Sequence, residues 1–237
     1  MMRQLVLELA PPAAPTLENF FAGPNGAALA TLRHALADEG GERMVYLFGA
    51  PGSGKTHLLR AAVLEAEAAG RKALYVCAPH ALLATAPGER MPPVDKNMLD
   101  CDLLAVDDIE RLDTASQLAL FDAFNVLRSG RGRLLGAGTV PAVDLPLRED
   151  LRTRLGSGLL LRLAALSDEQ KTAALAWHAD QRGMRLAPEI VAYVLTHCGR
   201  DMGTQVSVLD ALDRYSLEHK RPVTLPLLRE ALRALQP

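Results

Sequence analysis

Short apolar segments alternate with helical patterns over the first two thirds of the chain. Four of these segments have the length and composition of buried strands: 44–48 (MVYLF), 73–77 (ALYVC), 102–108 (DLLAVDD) and 133–138 (RLLGAG). Between them, apolar residues recur every three or four positions, as on the buried face of a helix. Strands that alternate with helices in this way predict a parallel sheet covered on both faces.

From about residue 166 onwards the pattern predicts helices alone. Ser167 and Gln170 have the spacing of a capping box and predict the start of a helix, which we expect to end near Gly183. Further helices are predicted over 188–198, 202–218 and 225–235. This part of the chain therefore has the pattern of a small all-α domain.

The N-terminal segment differs from both. Its apolar run QLVLEL (4–9) is followed by APPAAPT (10–16), whose prolines lack N–H donors and favour a semi-rigid linker. A buried first strand is one interpretation of the run. The alternative is an extended peptide that binds in a groove on a partner, with Gln4 in a polar subsite. In that case three residues seek apolar contacts: Leu5, Leu7 and Leu9.

These patterns divide the chain into three predicted parts. We expect a peptide and Pro/Ala linker over 1–15, an α/β domain over 16–165 and a helical domain over 166–237. With 237 residues of which 49% are hydrophobic, the chain is long enough to bury a sizeable core.

Composition narrows the functional class. The formal net charge is −2, so bulk electrostatics does not favour binding to nucleic acid. A local basic patch at Arg128, Arg131 and Arg133 is left open, with solubility as its simpler explanation. The three cysteines are far apart, which indicates buried thiols in a reducing compartment: Cys77, Cys101 and Cys198. No apolar run approaches the roughly 20 residues of a membrane helix, so we expect a cytoplasmic protein.

The segment GAPGSGKT (49–56) fits the phosphate-loop pattern G-x-x-x-x-G-K-[ST] and lies between a predicted strand and a predicted helix. Glycines allow the backbone N–H groups to approach a phosphate, and the positive end of the helix dipole faces the same anion. Lys55 supplies a charge to the outer phosphates and Thr56 a hydroxyl to Mg²⁺. The predicted nucleotide-binding residues of the loop are Gly49, Gly52, Ser53, Gly54, Lys55, Thr56 and His57.

Two carboxylates follow the strand LLAV, about fifty residues after the loop. Asp107 at this place is suited to hold Mg²⁺, directly or through water, and Asp108 to polarise an attacking water. A structural or helix-capping role is the alternative for such a pair taken alone. Together with the loop, the pair predicts a site for ADP or ATP with Mg²⁺.

Several of these segments are also similar to those of a known protein family. The segments GAPGSGKTHLL and LLAVDDIERL and the helical C-terminal domain resemble the DnaA clade of AAA+ ATPases. The similarity runs nearly end to end with regulatory members of that clade, which inactivate the replication initiator DnaA. It includes QLVLEL, PTLENFFAGPN, LRTRL and LSDEQK. It implies an AAA+ P-loop NTPase fold with a parallel five-stranded sheet, followed by a small all-α lid.

The resemblance also implies roles for individual residues. PTLENFFAGPN (15–25) is similar to the segment that lines the adenine pocket, which makes Phe20, Phe21 and Gly23 candidates for base contacts. Core aromatics are the equal alternative for the two phenylalanines. Thr139 occupies the place of the polar sensor that contacts the γ-phosphate or the water.

Arg154 in LRTRL matches the arginine finger of the family, which completes the nucleotide site of a neighbouring subunit. A solvated surface arginine is the simpler alternative, and Arg152 is close enough to be confused with it. One departure concerns the lid, where Gly203 stands at the usual position of a nucleotide-contacting arginine, with Arg200 nearby. This departure puts the chain's own ATP turnover in doubt but does not affect binding through the phosphate loop.

Three functions follow from these expectations. The first is a nucleotide-binding regulator that binds the β sliding clamp through QLVLEL, meets DNA mainly through the clamp at the replisome, and offers Arg154 to ATP held by DnaA. The second is an autonomous ATPase of the helicase-loader or remodeller type. The third is an initiator, which is disfavoured because the chain ends about ten residues into its last predicted helix. Self-association into a homo-oligomer is left open.

Overall fold

The structure is a computed structural model, and it describes residues 14–37, 41–78, 100–130, 132–199 and 201–234. The chain divides into two compact units, one over Pro15–Ala165 and the other including Leu166–Pro237. Several residues discussed above lie outside the described part: Gln4, Leu5, Leu7, Leu9, Arg131 and Arg200.

The first unit is built on a parallel sheet of five strands in the order β2-β3-β4-β1-β5. The strands are β1 Met44–Phe48, β2 Ala73–Cys77, β3 Leu103–Asp107, β4 Arg133–Gly138 and β5 Leu159–Arg162. The predicted parallel sheet is confirmed, with β2 and β5 at its edges. The apolar pattern located four of the strands, and the fifth, β5, runs beside β1 with Val45 opposite Leu159.

Among the described residues, four α-helices accompany this sheet: α1 Gly26–Ala37, α2 Lys55–Ala68, α3 Thr114–Ser129 and α4 Glu149–Gly156. The start of α3 is capped by Asp113, whose carboxylate accepts a hydrogen bond from the backbone N–H of Ser116 at 2.7 Å.

Alternate residues of β1 divide the apolar core between the two faces of the sheet. On one face, Tyr46 packs with residues of α3 and α4, among them Phe124 and Leu155. On the other face, Val45 and Leu47 pack with residues of α1 and α2. The phosphate-loop helix α2 therefore covers the opposite face of the sheet from α3 and α4.

The second unit is all-α, as expected, with α5 Asp168–Asp180, α6 Pro188–His197, α7 Met202–His219 and α8 Leu225–Ala234. The predicted capping box is confirmed. The Ser167 hydroxyl accepts from the Gln170 N–H at 3.2 Å, and the Gln170 side-chain oxygen accepts from the Ser167 N–H at 2.9 Å. The core of the unit includes Leu175, Ile190, Leu209, Leu212, Leu227 and Leu228.

One expectation about the cysteines is wrong in part. Cys101 and Cys198 are buried thiols, but Cys77 is exposed because it ends the edge strand β2. In the part of the chain that the structure describes, no helix combines the length and the apolar character needed to cross a membrane.

Candidate functional site

The phosphate loop connects the end of β1 to the start of α2. A Cβ added to Gly49 would lie 2.1 Å from the carbonyl oxygen of Leu163, so no side chain fits there. Gly52 and Gly54 have φ angles of 79° and 94°, which is the left-handed region that glycine adopts without strain. The three glycines are thus required by the path of the backbone itself, as the motif predicts.

Gly54 also carries the contact between the loop and Phe20. A Cβ at this position would lie 2.5 Å from Cε2 of the Phe20 ring, which is itself largely buried. Phe20 therefore packs as a core aromatic beneath the loop, one of the two roles considered from the sequence. Phe21 is half-buried and Gly23 begins a short 3-10 helix with φ 48°. Base contacts by these residues stay a prediction.

Lys55 is 7% exposed and folds back into the loop. Its ammonium donates to the carbonyl oxygens of Gly49 and Ala50 at 2.7 and 3.1 Å. Burial lowers the pKa of Lys55, and the nearby carboxylates of Asp107, Glu110 and Asp108 act in the opposite direction. The loop therefore encloses a positive charge whose burial is only partly offset by the nearby carboxylates.

Ser53 supplies a second sign that the loop is shaped for an anion. Its side-chain oxygen is buried, and within the described residues it has no hydrogen-bond partner. Buried hydroxyls are nearly always paired, so this one calls for a ligand or a water. Positive-φ glycines, an enclosed ammonium, an unpaired hydroxyl and a helix N-terminus together fit a phosphate group.

Asp107 ends β3 and is 2% exposed. Its Oδ2 accepts from the Thr56 hydroxyl at 2.6 Å and from the Tyr75 hydroxyl at 2.9 Å, and its Oδ1 accepts from the Asp108 N–H at 3.0 Å. A carboxylate and a hydroxyl at this distance are the oxygen ligands that Mg²⁺ takes beside phosphate groups. The residues present therefore fit a magnesium ion.

Asp108 is placed differently from Asp107. Its backbone is left-handed at φ 51°, which a non-glycine residue seldom adopts. Its carboxylate pairs with Arg111 at 3.4 Å and is 37% exposed. The structure brings together Asp107 and Thr56, but it does not join Asp108 to either side chain.

Thr139 follows β4 and is exposed. Its backbone N–H donates to Oε1 of Glu110 at 3.1 Å, so a carboxylate from the turn after β3 holds the backbone at the position predicted for the sensor. Oε2 of Glu110 is buried and has no hydrogen-bond partner in the described ranges. Sequence reasoning did not single out Glu110, although it stands only three residues after Asp107.

His57 lies in the first turn of α2, but its ring contacts the segment before α1. Nε2 is 3.0 Å from the carbonyl oxygen of Thr16, which only accepts, so this nitrogen carries the proton. The ring also lies 5.5 Å from that of Phe20. Burial lowers the pKa of His57, which favours the neutral imidazole. His57 thereby ties Thr16 and Phe20 to the helix of the phosphate loop.

Arg154 lies on α4, on the sheet face opposite α2. Its guanidinium carbon is 4.2 Å from the ring centre of Phe121 and 5.0 Å from that of Phe124, both on α3. These are cation–π distances, so the two rings hold the half-buried arginine against α3. Arg152 is half-buried on the same helix.

In the second unit, the lid helix α7 begins with Asp201 as its cap, accepting from the Thr204 N–H at 2.8 Å. Gly203 is in the first turn of this helix, as expected from the sequence. A Cβ added there would lie 3.2 Å from Oδ1 of the capping Asp201.

Comparison with known families gives two matches that follow each other along the chain. Residues 13–162 match the model described as the bacterial DnaA ATPase domain. Residues 168–232 match the model described as the lid domain of Hda.

The structure is similar to solved proteins of the same architecture. Domain III of the replication initiation protein DnaA from Thermotoga maritima is 20% identical, with a TM-score of 0.69 over 95% of this chain and 99% of that one. AMPPCP-bound DnaA from Aquifex aeolicus is 25% identical, with a TM-score of 0.67 over 88% of this chain and 68% of that one. A Thermotoga maritima RuvB mutant has a TM-score of 0.61 at 17% identity, covering 93% and 72%.

Proposed function

Because the chain belongs to the family of the bacterial DnaA ATPase domain, we propose that it is a nucleotide-binding regulator that acts on DnaA itself. The lid is the observation that carries this proposal, because residues 168–232 match the lid domain of Hda. Hda is the DnaA homologue that inactivates the initiator. An AAA+ domain of DnaA type joined to a lid of Hda type is the arrangement of a regulator.

The nucleotide is ADP or ATP, held by the loop from Gly49 to Thr56. The paired Thr56 hydroxyl and Asp107 carboxylate would hold Mg²⁺, which neutralises phosphate charge when it is bound. Lys55 supplies the fixed charge on the protein side. The positions of these side chains support binding whether or not the chain turns the nucleotide over.

Arg154 acts in trans, on ATP bound to DnaA. Two observations support this assignment. The guanidinium lies on the face of the sheet opposite α2, so it is remote from the helix that holds the chain's own phosphates. The lid has Gly203 in place of an arginine, which weakens the case for turnover in the chain's own site.

The β sliding clamp on DNA is the platform for this reaction. QLVLEL resembles the clamp-binding peptide of Hda, with Gln4 and the three leucines as its contacts. Stimulated hydrolysis leaves DnaA in its ADP form and prevents re-initiation of chromosomal replication. The protein would therefore work in the cytoplasm at the replisome and meet DNA mainly through the clamp.

The experiment that tests this proposal measures hydrolysis of DnaA-bound ATP with clamp-loaded DNA. The full chain is expected to accelerate hydrolysis, and a variant lacking residues 1–10 is expected to lose most of that acceleration and of its clamp binding. Hydrolysis that accelerates equally without the clamp, or with the truncated variant, would contradict the role of the peptide.

An autonomous ATPase is the second candidate. The buried Oε2 of Glu110, which has no hydrogen-bond partner among the described residues, favours it because a carboxylate oxygen beside the sensor position is suited to orient a water. This candidate predicts steady ATP turnover by the isolated chain, abolished by Lys55→Ala. Turnover no higher than that of Lys55→Ala would exclude it.

A further inference from the structure

Tyr75 lies in the middle of β2 and contacts the nucleotide site through its hydroxyl. Beyond the sites already assigned, we propose that Tyr75 is a positioning residue that fixes the Mg²⁺-binding carboxylate of Asp107, and that Arg60 holds its ring in place. The hydroxyl donates to Oδ2 of Asp107 at 2.9 Å. This inference rests on the binding of Mg²⁺ and nucleotide proposed above.

The carboxylate of Asp107 is fixed at both oxygens by groups from different elements. Thr56 on α2 and Tyr75 on β2 donate to the same Oδ2, while the backbone of Asp108 donates to Oδ1. Rotation about the last bond of an aspartate is soft, so its plane is set by such partners. Tyr75 is the partner with the most rigid support, because its ring rises from a strand paired along its length with β3.

Arg60 steadies the ring of Tyr75 from the solvent side. Its guanidinium carbon lies 4.9 Å from the ring centre. Thr56 and Arg60 are four residues apart on α2, so they lie on the same face one turn from each other. The same helix face thus presents a hydroxyl to Asp107 and a cation to the tyrosine that binds Asp107.

Loss of the hydroxyl should act on the metal and not on the phosphate loop. We expect Tyr75→Phe to weaken the affinity for fluorescently labelled ADP about 5-fold to 10-fold in excess Mg²⁺, the size of the loss of one ordinary hydrogen bond. With EDTA in place of Mg²⁺, the affinity should stay within about 2-fold of wild type, because Lys55 and the loop amides are untouched.

Tyr46→Phe is the matched control. It also removes a tyrosine hydroxyl, which donates to the Val140 carbonyl at 2.8 Å and does not contact Asp107. Its ratio of affinities with and without Mg²⁺ should equal that of wild type. Arg60→Met, at an exposed position, should lower the ratio about 2-fold to 3-fold by loosening the ring, and it carries the test if Tyr75→Phe does not fold.

The outcomes separate this inference from the proposed function. A wild-type chain whose affinity for ADP is independent of Mg²⁺ would overturn the metal assignment and this inference with it. A normal Mg²⁺ dependence that Tyr75→Phe preserves would overturn only the role of Tyr75. An equal loss with Mg²⁺ and with EDTA, or the same loss in Tyr46→Phe, would show a merely structural tyrosine.

Discussion

Two cations of the α/β unit, Lys55 and Arg154, are held in opposite ways. Lys55 is 7% exposed, and carbonyl oxygens of its own loop accept from its ammonium. Arg154 lies half-buried on the rings of Phe121 and Phe124, and no carboxylate in the described ranges forms a salt bridge with it. One cation is committed to the chain's own phosphate site, while the other keeps its N–H donors available to a neighbour.

Under the proposed function, the two cations serve different reactions. Residues on the α2 face should control the affinity for the chain's own nucleotide, and Arg154 should leave that affinity unchanged. Arg154 should instead control what happens to ATP on DnaA. Substitutions in the phosphate loop should therefore change the affinity for the chain's own nucleotide, and substitution of Arg154 should change hydrolysis on DnaA. A variant that changes the other quantity would contradict this division.

Lys55→Ala has the largest expected effect on the chain's own site. Removal of a charged hydrogen-bond donor from a partly desolvated phosphate site costs about 3 kcal/mol, or about 100-fold in affinity for ADP. Titration with fluorescently labelled ADP measures it, and Arg154→Ala is the control that should bind within about 2-fold of wild type. A similar loss in both variants would place Arg154 in the chain's own site.

Gly54→Ala tests whether the fold depends on the left-handed backbone of Gly54 and on its close packing against Phe20. The left-handed backbone at φ 94° opposes a methyl group, and so does the Phe20 ring, whose Cε2 lies 2.5 Å from the place that a Cβ would take. We expect the free energy of unfolding to fall by about 2–3 kcal/mol, measured by denaturant titration.

Gly26→Ala is the matched control, because an added Cβ there meets no atom within 4 Å. It lies at the start of α1 and should leave the free energy of unfolding unchanged or slightly raised. If Gly54→Ala and Gly26→Ala have the same free energy of unfolding, the loop does not depend on the contact with Phe20.

The smallest expected effect concerns pH. Burial lowers the pKa of His57 from its ordinary value of 6.5, so near that pH the unfolded chain binds a proton that the folded chain does not. The free energy of unfolding should therefore fall as the pH decreases from about 7 to 5.

His57→Gln keeps a donor for the Thr16 carbonyl and should reduce this slope. His34→Gln removes an exposed histidine of α1 and should preserve it. Denaturant titrations at pH 5, 6 and 7 compare the three proteins. A slope that His57→Gln leaves intact would place its origin elsewhere.

Much of the fold was predictable because its signals are local. The apolar segments of β1 to β4, the loop GAPGSGKT and the Ser167 capping box each depend on neighbouring residues, and the structure confirms them. The strand β5 has four residues at the edge of the sheet, and its position depends on pairing with β1. A strand so short cannot be told from a loop by periodicity.

The parts of the site that were missed are contacts between distant segments. Tyr75 reaches Asp107 across 32 positions of the chain, and Glu110 holds the backbone of Thr139 across 29. Neither residue belongs to the phosphate loop or to the acidic pair, and the order of the parallel strands brings them to the same edge. The choice between core and base contact for Phe20 also needed the structure, because it depends on a glycine in another element.

The most direct test of the account is the rate at which DnaA hydrolyses its bound ATP in the presence of this chain and clamp-loaded DNA. Arg154→Ala is expected to lose nearly all stimulation, about 100-fold or more, while its own affinity for ADP stays within 2-fold of wild type. Arg152→Ala, two residues away on α4, should stimulate normally. Stimulation by Arg154→Ala at the wild-type rate would contradict the assignment of Arg154 to the DnaA site.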